Sequence, residues 1–403
     1  MNYLEKLLKG VEIEWKTLGE VTDFTNGKGH EKGITEDGKY IVVNSKFIST
    51  NGKVVKFSEK QICPLFCEDI LIVMSDLPNG KALAKTFFVE ENEKYTLNQR
   101  IGGIRVKDSN ILFPKFLNYF LNRTSQLLKF DDGASQTNLR KDQIQSVIIP
   151  IPSLEIQQKI VAILDTFSEL TAELTAELTA RKMQYNYYRE KLYSFDKNKV
   201  KHLPLEDESI GVFQRGKRFV KTDLISEGVP TIHYGEMYTY YGTWADETIS
   251  FVSEKLVNDK NLRLAQKGDV VIVAAGETIE DIGKGTAWLG NDGVVIHDAC
   301  FSYKTSLNPK FVAYFTRTKQ FHDQIKKHIS SGKISAINAK GLGKAIIPVP
   351  SKEEQERIVS ILDKFDILTT SISEGLPKEI ELRKKQYEYY RDLLLTFPKN
   401  NIK

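Results

Sequence analysis

The sequence predicts an α+β protein: two globular α+β modules separated by an antiparallel two-helix coiled-coil spacer, related by an internal pseudo-twofold repeat. Three observations lead there. IPIPSLEIQQKIVAILDTF at 149–167 returns as IPVPSKEEQERIVSILDKF at 347–365, at an offset of 198 residues. RKMQYNYYREKLYSF at 181–195 returns as RKKQYEYYRDLLLTF at 383–397, at an offset of 202. Between these segments lie stretches in which short apolar β-rich runs alternate with turn residues. A repeat of about 200 residues decides the architecture before any local feature does, and 403 residues exceed one ordinary core. The boundaries that follow are a first module over 1–150, a first spacer helix over 151–197, a second module over 198–347 and a second spacer helix over 348–403.

Each repeated segment reads as a long helix. Ser153 and Ser351 stand at the N-cap after a Pro-x-Pro that cannot itself be helical, and Ser351 with Glu354 has the spacing of a capping box. The first copy has Ile156 at the matching position and lacks the box, although Glu155 favours its first turn. Apolar residues recur at Ile156, Ile160, Ile163, Phe167, Leu170, Leu174 and Leu178, a continuous stripe. The low-complexity stretch LTAELTAELTA at 170–180 keeps its leucines nearly aligned, because four residues advance about 400° and each leucine drifts only about 40°. The change of offset makes this copy four residues shorter than the other. In the longer copy Gly375 and Pro377 predict a break, with a restart at Pro377 as the first helical residue. A helix of about 40 residues spans roughly 60 Å and cannot bury such a stripe alone. The other copy is the expected partner, and a compact module whose ends lie close together makes the two helices antiparallel.

The modules share an outline and differ in detail. FTNGK (24–28) corresponds to FQRGK (213–217), EDILIVM (68–74) to GDVVIVA (268–274), and Gly80-Lys81 to Gly283-Lys284. PKFLNYFL (114–121) and PKFVAYFT (309–316) read as helices, followed by the polar loops DDGASQTNLR (131–140) and SSGKISAIN (330–338). A shared frame with unlike contents suits two readers of different nucleic-acid sequences. Base edges are read by Arg, Lys, Asn and Gln on a scaffold, while glycine turns let backbone N–H groups approach phosphate. The candidates are Lys28, Asn44, Lys46, Gln136, Asn138 and Arg140 in the first module. In the second they are Arg215, Lys217, Arg218, Lys333, Ser335 and Asn338. His233 and His297 read as structural or loop residues.

Composition excludes other classes. The start MNYLEKLLKG carries Glu5, Lys6 and Lys9 among its apolar residues, so no signal peptide is expected, and no apolar run approaches a membrane span. A cytoplasmic protein without membrane contact is expected. Cys63 and Cys67 form a lone CxxxC without a second ligand pair, which predicts buried small residues and no zinc. No cofactor is expected either. A net charge of +4 neither demands nor excludes nucleic acid. No Asn-Pro-Pro-aromatic or Asp-Pro-Pro-aromatic methylation motif occurs, and GETIEDIGKGT (276–286) has the wrong spacing for a phosphate loop. The chain is therefore expected to carry no catalysis.

Two diverged modules alternating with two similar helices, each opening with Pro-x-Pro-Ser and Ile-Val-x-Ile-Leu-Asp and closing with KxQYxYYR, resemble the type I restriction-modification specificity subunit over essentially the whole chain. The tandem TAEL unit is itself a mark of that family's spacers. The resemblance implies that the modules are target recognition domains, each reading one half of a bipartite double-stranded DNA site. It further implies two methyltransferase subunits as partners, joined by translocase-nuclease restriction subunits. Tyr185, Tyr187, Tyr188, Tyr387, Tyr389 and Tyr390 carry more rings than a two-helix seam buries; they face either the methyltransferase subunits or their own modules. The alternative to a subunit is a stand-alone bipartite DNA-binding protein or scaffold.

Overall fold

The computed structural model describes residues 13–397 apart from 79 and 333. The chain divides into two compact units, Met1–Glu173 with Glu381–Lys403, and Leu174–Ile380.

In the first unit the run at 70–73 becomes the strand Ile70–Val73, buried at all four residues. It lies between Ile101–Val106 and Thr86–Phe88 in an antiparallel sheet whose edge is Thr22–Asn26. Alternate side chains leave opposite faces of a strand. Ile70 and Ile72 pack with Phe116, Leu117, Ile160 and Leu164, and Leu71 and Val73 with Phe47, Leu97 and Ile101. Two covered faces explain why the run shows no polar alternation. A second sheet is ordered Ile34–Thr35, Phe57–Ser58, Tyr40–Val43, Tyr95–Leu97, and its last two strands run parallel.

The helix Pro114–Leu121, opened by its proline, buries Phe116, Leu117 and Leu121. Its other side meets the long helix Leu154–Leu192. Asp165 accepts from Lys115 Nζ at 2.8 Å and from the Tyr119 hydroxyl at 2.6 Å. Gln157, fully buried, accepts from the Phe113 N–H at 2.8 Å and donates to the Ile111 and Pro152 carbonyls at 2.9 and 2.8 Å. The C-terminal segment closes this core, with Tyr390 stacked on Phe167 at 5.2 Å and Phe397 edge-on to Phe116.

The second unit repeats the plan. Val270–Val273 is again fully buried, within a sheet ordered Gly211–Arg215, Cys300–Thr305, Val270–Val273, Gly285–Trp288, Trp244–Ala245. The second sheet holds the parallel pair Val229–Ile232 and Val294–Ile296. Asp363 accepts from Lys310 Nζ at 2.9 Å and from the Tyr314 hydroxyl at 2.7 Å. Gln355 accepts from the Asn308 N–H and donates to the Pro350 carbonyl. Here Tyr188 stacks on Phe365 at 5.6 Å. In each unit, then, the opening part of one repeat copy packs with the closing part of the other.

Three expectations are corrected. The break in the second helical segment falls at 371–374, between Lys352–Thr370 and Gly375–Leu395. Gly375 opens the second piece at φ +77°, where a Cβ would meet the Ile367 carbonyl oxygen at 2.4 Å, so glycine, and not Pro377, begins it. Ser351 Oγ accepts from the Glu354 N–H at 3.3 Å, but the Glu354 carboxylate takes two nitrogens of Arg357 at 2.7 Å and the capping box is not reciprocal. Of the cysteines, Cys63 and Cys300 are buried, while Cys67 is exposed at a turn and donates to the Glu90 carbonyl. Burial pushes the Cys300 thiol up to about 12. Among the described residues no helix is long and apolar enough to cross a membrane.

Candidate nucleic-acid interface

Each unit places its first Gly-Lys loop over the carboxyl end of its parallel strand pair. In the first unit the Gly27 N–H donates to the Ile101 carbonyl and the Lys28 N–H to that of Leu97. A Cβ on Gly27 would lie 1.9 Å from the Asn98 carbonyl oxygen. In the second unit the Gly216 and Lys217 N–H groups donate to Cys300 and Ile296, and a Cβ on Gly216 would lie 2.1 Å from the His297 carbonyl oxygen. These glycines therefore allow close approach to the protein's own strand, and their N–H groups are satisfied internally. This corrects the reading in which they cradle phosphate.

The second loop of each unit is tied to the strand that continues the buried run. Thr137–Asn138 pairs with Ser75–Asp76, and Ser335–Ala336 with Ala275–Gly276. Lys28, Lys46, Gln136, Asn138 and Arg140 are all exposed. Gln136 donates to Ser75 Oγ at 2.8 Å, and Arg140 lies 3.3 Å from Asp142. Asn44 is half-buried and caps the helix Ser45–Ser49, its Oδ1 accepting from the Phe47 N–H at 2.9 Å. Its NH2 group and one lone pair of the oxygen remain for another partner.

In the second unit Arg215 and Arg218 are exposed, with Arg215 Nε donating to the Asp298 carbonyl. Lys217 is half-buried and reaches the Lys260 carbonyl at 3.4 Å. Asn338 is exposed, but its Oδ1 caps the helix Ala339–Gly343 through the Gly341 N–H. Ser335 is 4% exposed inside the strand pair, which removes it as a DNA contact. Lys333 lies outside the described residues.

The loop residues of the second unit border a cleft of about 520 Å3 lined by Arg215, Arg218, Lys221, Glu277 and Ile334 around the rings of Phe219, His233, Tyr234 and His297. The histidines are 4.9 Å apart, and Phe219 packs edge-on to His297 at 5.0 Å. The Gly235 N–H donates to His233 Nδ1 and the Ala299 N–H to His297 Nδ1, while His297 Nε2 lies 3.0 Å from the Phe219 carbonyl. The Gly235 contact places the proton of a neutral His233 ring on Nε2, whereas His297 Nδ1 lies between the Ala299 N–H and the Asp298 carboxylate. Burial holds both histidines below their ordinary range, and each also feels a nearby positive side chain, Lys221 for His233 and Arg218 for His297. The Asp298 carboxylate, 3.0 Å from His297 Nδ1, pulls the other way and does not outweigh burial.

Sequence reasoning left His233 and His297 as structural or loop residues, whereas both line the cleft. A signal was present: each follows an apolar strand directly, in TIH (231–233) and VIH (295–297), and the first unit has VVN (42–44) and TLN (96–98) at the matching strand ends.

The tyrosines divide. Tyr187 and Tyr389 are exposed at 59% and 63%. Tyr188 and Tyr390 stack on Phe365 and Phe167, and Tyr387 packs against the first unit's core. Tyr185 is 6% exposed, stacks on Phe365 and lies 3.4 Å from Asp366, which removes it as a partner contact.

A family model described as the type I restriction modification DNA specificity domain matches residues 10–181 and again 208–382. The chain is 33% identical over 427 aligned residues to the EcoR124I/EcoR124II specificity subunit of Escherichia coli, covering 99% of this chain and 98% of that protein. Among solved structures, one from a study of type I restriction-modification complex assembly and conformational transition superposes with a TM-score of 0.64 at 18% identity, covering 96% and 98% of the two chains. The restriction-modification S subunit of Mycoplasma genitalium superposes at 0.54 and 18% identity over 100% of both.

Proposed function

We propose, from the premise that the chain belongs to the type I restriction modification DNA specificity family, that it is the non-catalytic specificity subunit of a type I restriction-modification complex. The modules at 1–150 and 198–347 each read one half of a bipartite duplex site. The helical segments at 151–197 and 348–403 set the distance between the halves. The carrying observation is that two copies of one frame present unlike side chains at the same strand ends, Asn44 and Asn98 in one, His233 and His297 in the other. A fold made once and filled twice suits two sequences read by one geometry.

Two methyltransferase subunits carry out base modification and translocase-nuclease subunits carry out restriction, all in the cytoplasm where the DNA lies. The weak charge of +4 fits this division, since partners then supply much of the phosphate contact. Tyr187 and Tyr389 occupy equivalent repeat positions with exposed rings and are the proposed methyltransferase contacts.

Mapping methylated bases across the host genome, with and without the chain, tests the reading. A two-part motif that vanishes on deletion is the expected result. A motif unaffected by deletion, or tight bipartite DNA binding by the isolated chain equal to that of the complex, would overturn it.

A further inference from the structure

The lining of the second unit's cleft carries both hydrogen-bond donors and a carboxylate. His233 accepts from the Gly235 N–H through Nδ1, which leaves its Nε2–H directed away from that bond as a donor. Arg218 is exposed on the same lining and carries donors only. Glu277, also exposed on the lining, carries acceptors only. His297 has both nitrogens engaged, at Phe219 and Ala299, and acts as a positioning residue that packs against the His233 ring.

In the major groove guanine presents two acceptors, N7 and O6, while its paired cytosine presents the N4 donor. Adenine would set its N6 donor against the His233 and Arg218 donors, and thymine has no donor for Glu277. Resting on the DNA-specificity reading above, we propose that His233 and Arg218 read the major-groove edge of one guanine in the half-site of the second module, with Glu277 accepting from the N4 amino group of its paired cytosine.

The twin unit supports placing specificity here. The register Val43↔Leu97 and Ile232↔Ile296 makes Asn44 and Asn98 the counterparts of His233 and His297. The frames agree up to these residues and part at them. In the first unit Asn98 Oδ1 is buried without a hydrogen-bond partner among the described residues, and Asn44 Oδ1 accepts a helix-cap bond from the Phe47 N–H. The matching strand ends of the two units therefore carry different hydrogen-bonding groups, amides in one and imidazoles in the other.

The test uses strains carrying the whole chain with its partner subunits, and sequencing of methylated bases in the host genome. His233→Asn installs the twin's residue. Arg218→Gln changes an exposed side chain and guards against misfolding in the first variant. Each is expected to relax one G·C position in one half-site, lowering discrimination there by roughly 10- to 100-fold, with the other half-site unchanged. Parent half-sites retained in both variants would overturn the inference and leave the DNA-specificity reading standing. Loss of all methylation in His233→Asn together with an unchanged motif in Arg218→Gln would also overturn it. A parent strain with no bipartite motif dependent on this chain would defeat the underlying reading as well.

Discussion

Replacing Gln157 with alanine should destabilise the first unit by about 4–6 kcal/mol. The side chain is fully buried and makes three hydrogen bonds, to Phe113 N–H, Ile111 O and Pro152 O, at 2.8–2.9 Å. Each bond contributes roughly 1 kcal/mol net, and an N–H group left buried without a partner costs a further 1–3 kcal/mol. Gln355→Ala, which breaks bonds to Asn308 and Pro350 in the second unit, should cost less, about 3–5 kcal/mol by the same reckoning. Trp15 is the tryptophan of the first unit, whereas Trp244 and Trp288 lie in the second. A reference chain with Trp244 and Trp288 replaced by phenylalanine thus reports the first unit alone in urea unfolding followed by fluorescence. A loss below about 1 kcal/mol for Gln157→Ala would refute the view that this glutamine holds Pro114–Leu121 to the long helix.

Inserting one Thr-Ala-Glu-Leu unit after Leu178 adds about 6 Å of helix, comparable with one or two base-pair steps of about 3.4 Å. Methylome sequencing should then show a longer spacer between unchanged half-sites, and an unchanged spacer would contradict the proposed role of the helices. Tyr187→Ser with Tyr389→Ser should abolish co-purification of methyltransferase subunits while leaving the thermal midpoint unchanged, since both rings are exposed; undiminished co-purification would remove them from that interface. His233 and His297 sit below the ordinary 6.5 through burial, opposed by Asp298 and reinforced by Lys221 and Arg218. Their depressed values mean that the unfolded chain takes up protons first as pH falls. Stability present above pH 6.5 is therefore lost as pH drops through the folded values. Unfolding midpoints from pH 7.5 to 5.5 should fall more steeply for the parent than for His233→Asn, and parallel slopes would show that the buried ring does not titrate.

The frame was legible because its determinants are periodic or duplicated. The runs at 70–73 and 270–273 stood out as continuous apolar segments, and the structure gives the cause in two covered faces. The helical stripe was legible for the same reason: Leu170, Leu174 and Leu178 are half-buried while the alanines and glutamates between them are exposed. The cleft was not legible, because it forms from ring packing among residues far apart in sequence. Phe219, His233 and His297 meet only after the parallel strands pair. Polar loop residues misled where a side chain serves its own backbone: Asn44 and Asn338 are helix caps, a role that the same residue types would also display as base readers.

Divergence of the strand ends without divergence of the frame requires something that fastens each module to its helices independently of loop content. The paired contacts supply it. Asp165 with Lys115 and Tyr119, and Asp363 with Lys310 and Tyr314, use the same three residue types in the same geometry, and Gln157 and Gln355 satisfy the backbone ahead of each short helix. Each aspartate shares its two carboxylate oxygens between a cation and a phenol, so a substitution there leaves two partners unsatisfied. None of these residues lies in the Gly-Lys loops or at the strand ends that bear Asn44, Asn98, His233 and His297. Loop side chains are thus free to change at little cost in stability, whereas the aspartate and glutamine positions tolerate little change because they hold each module on its own helix.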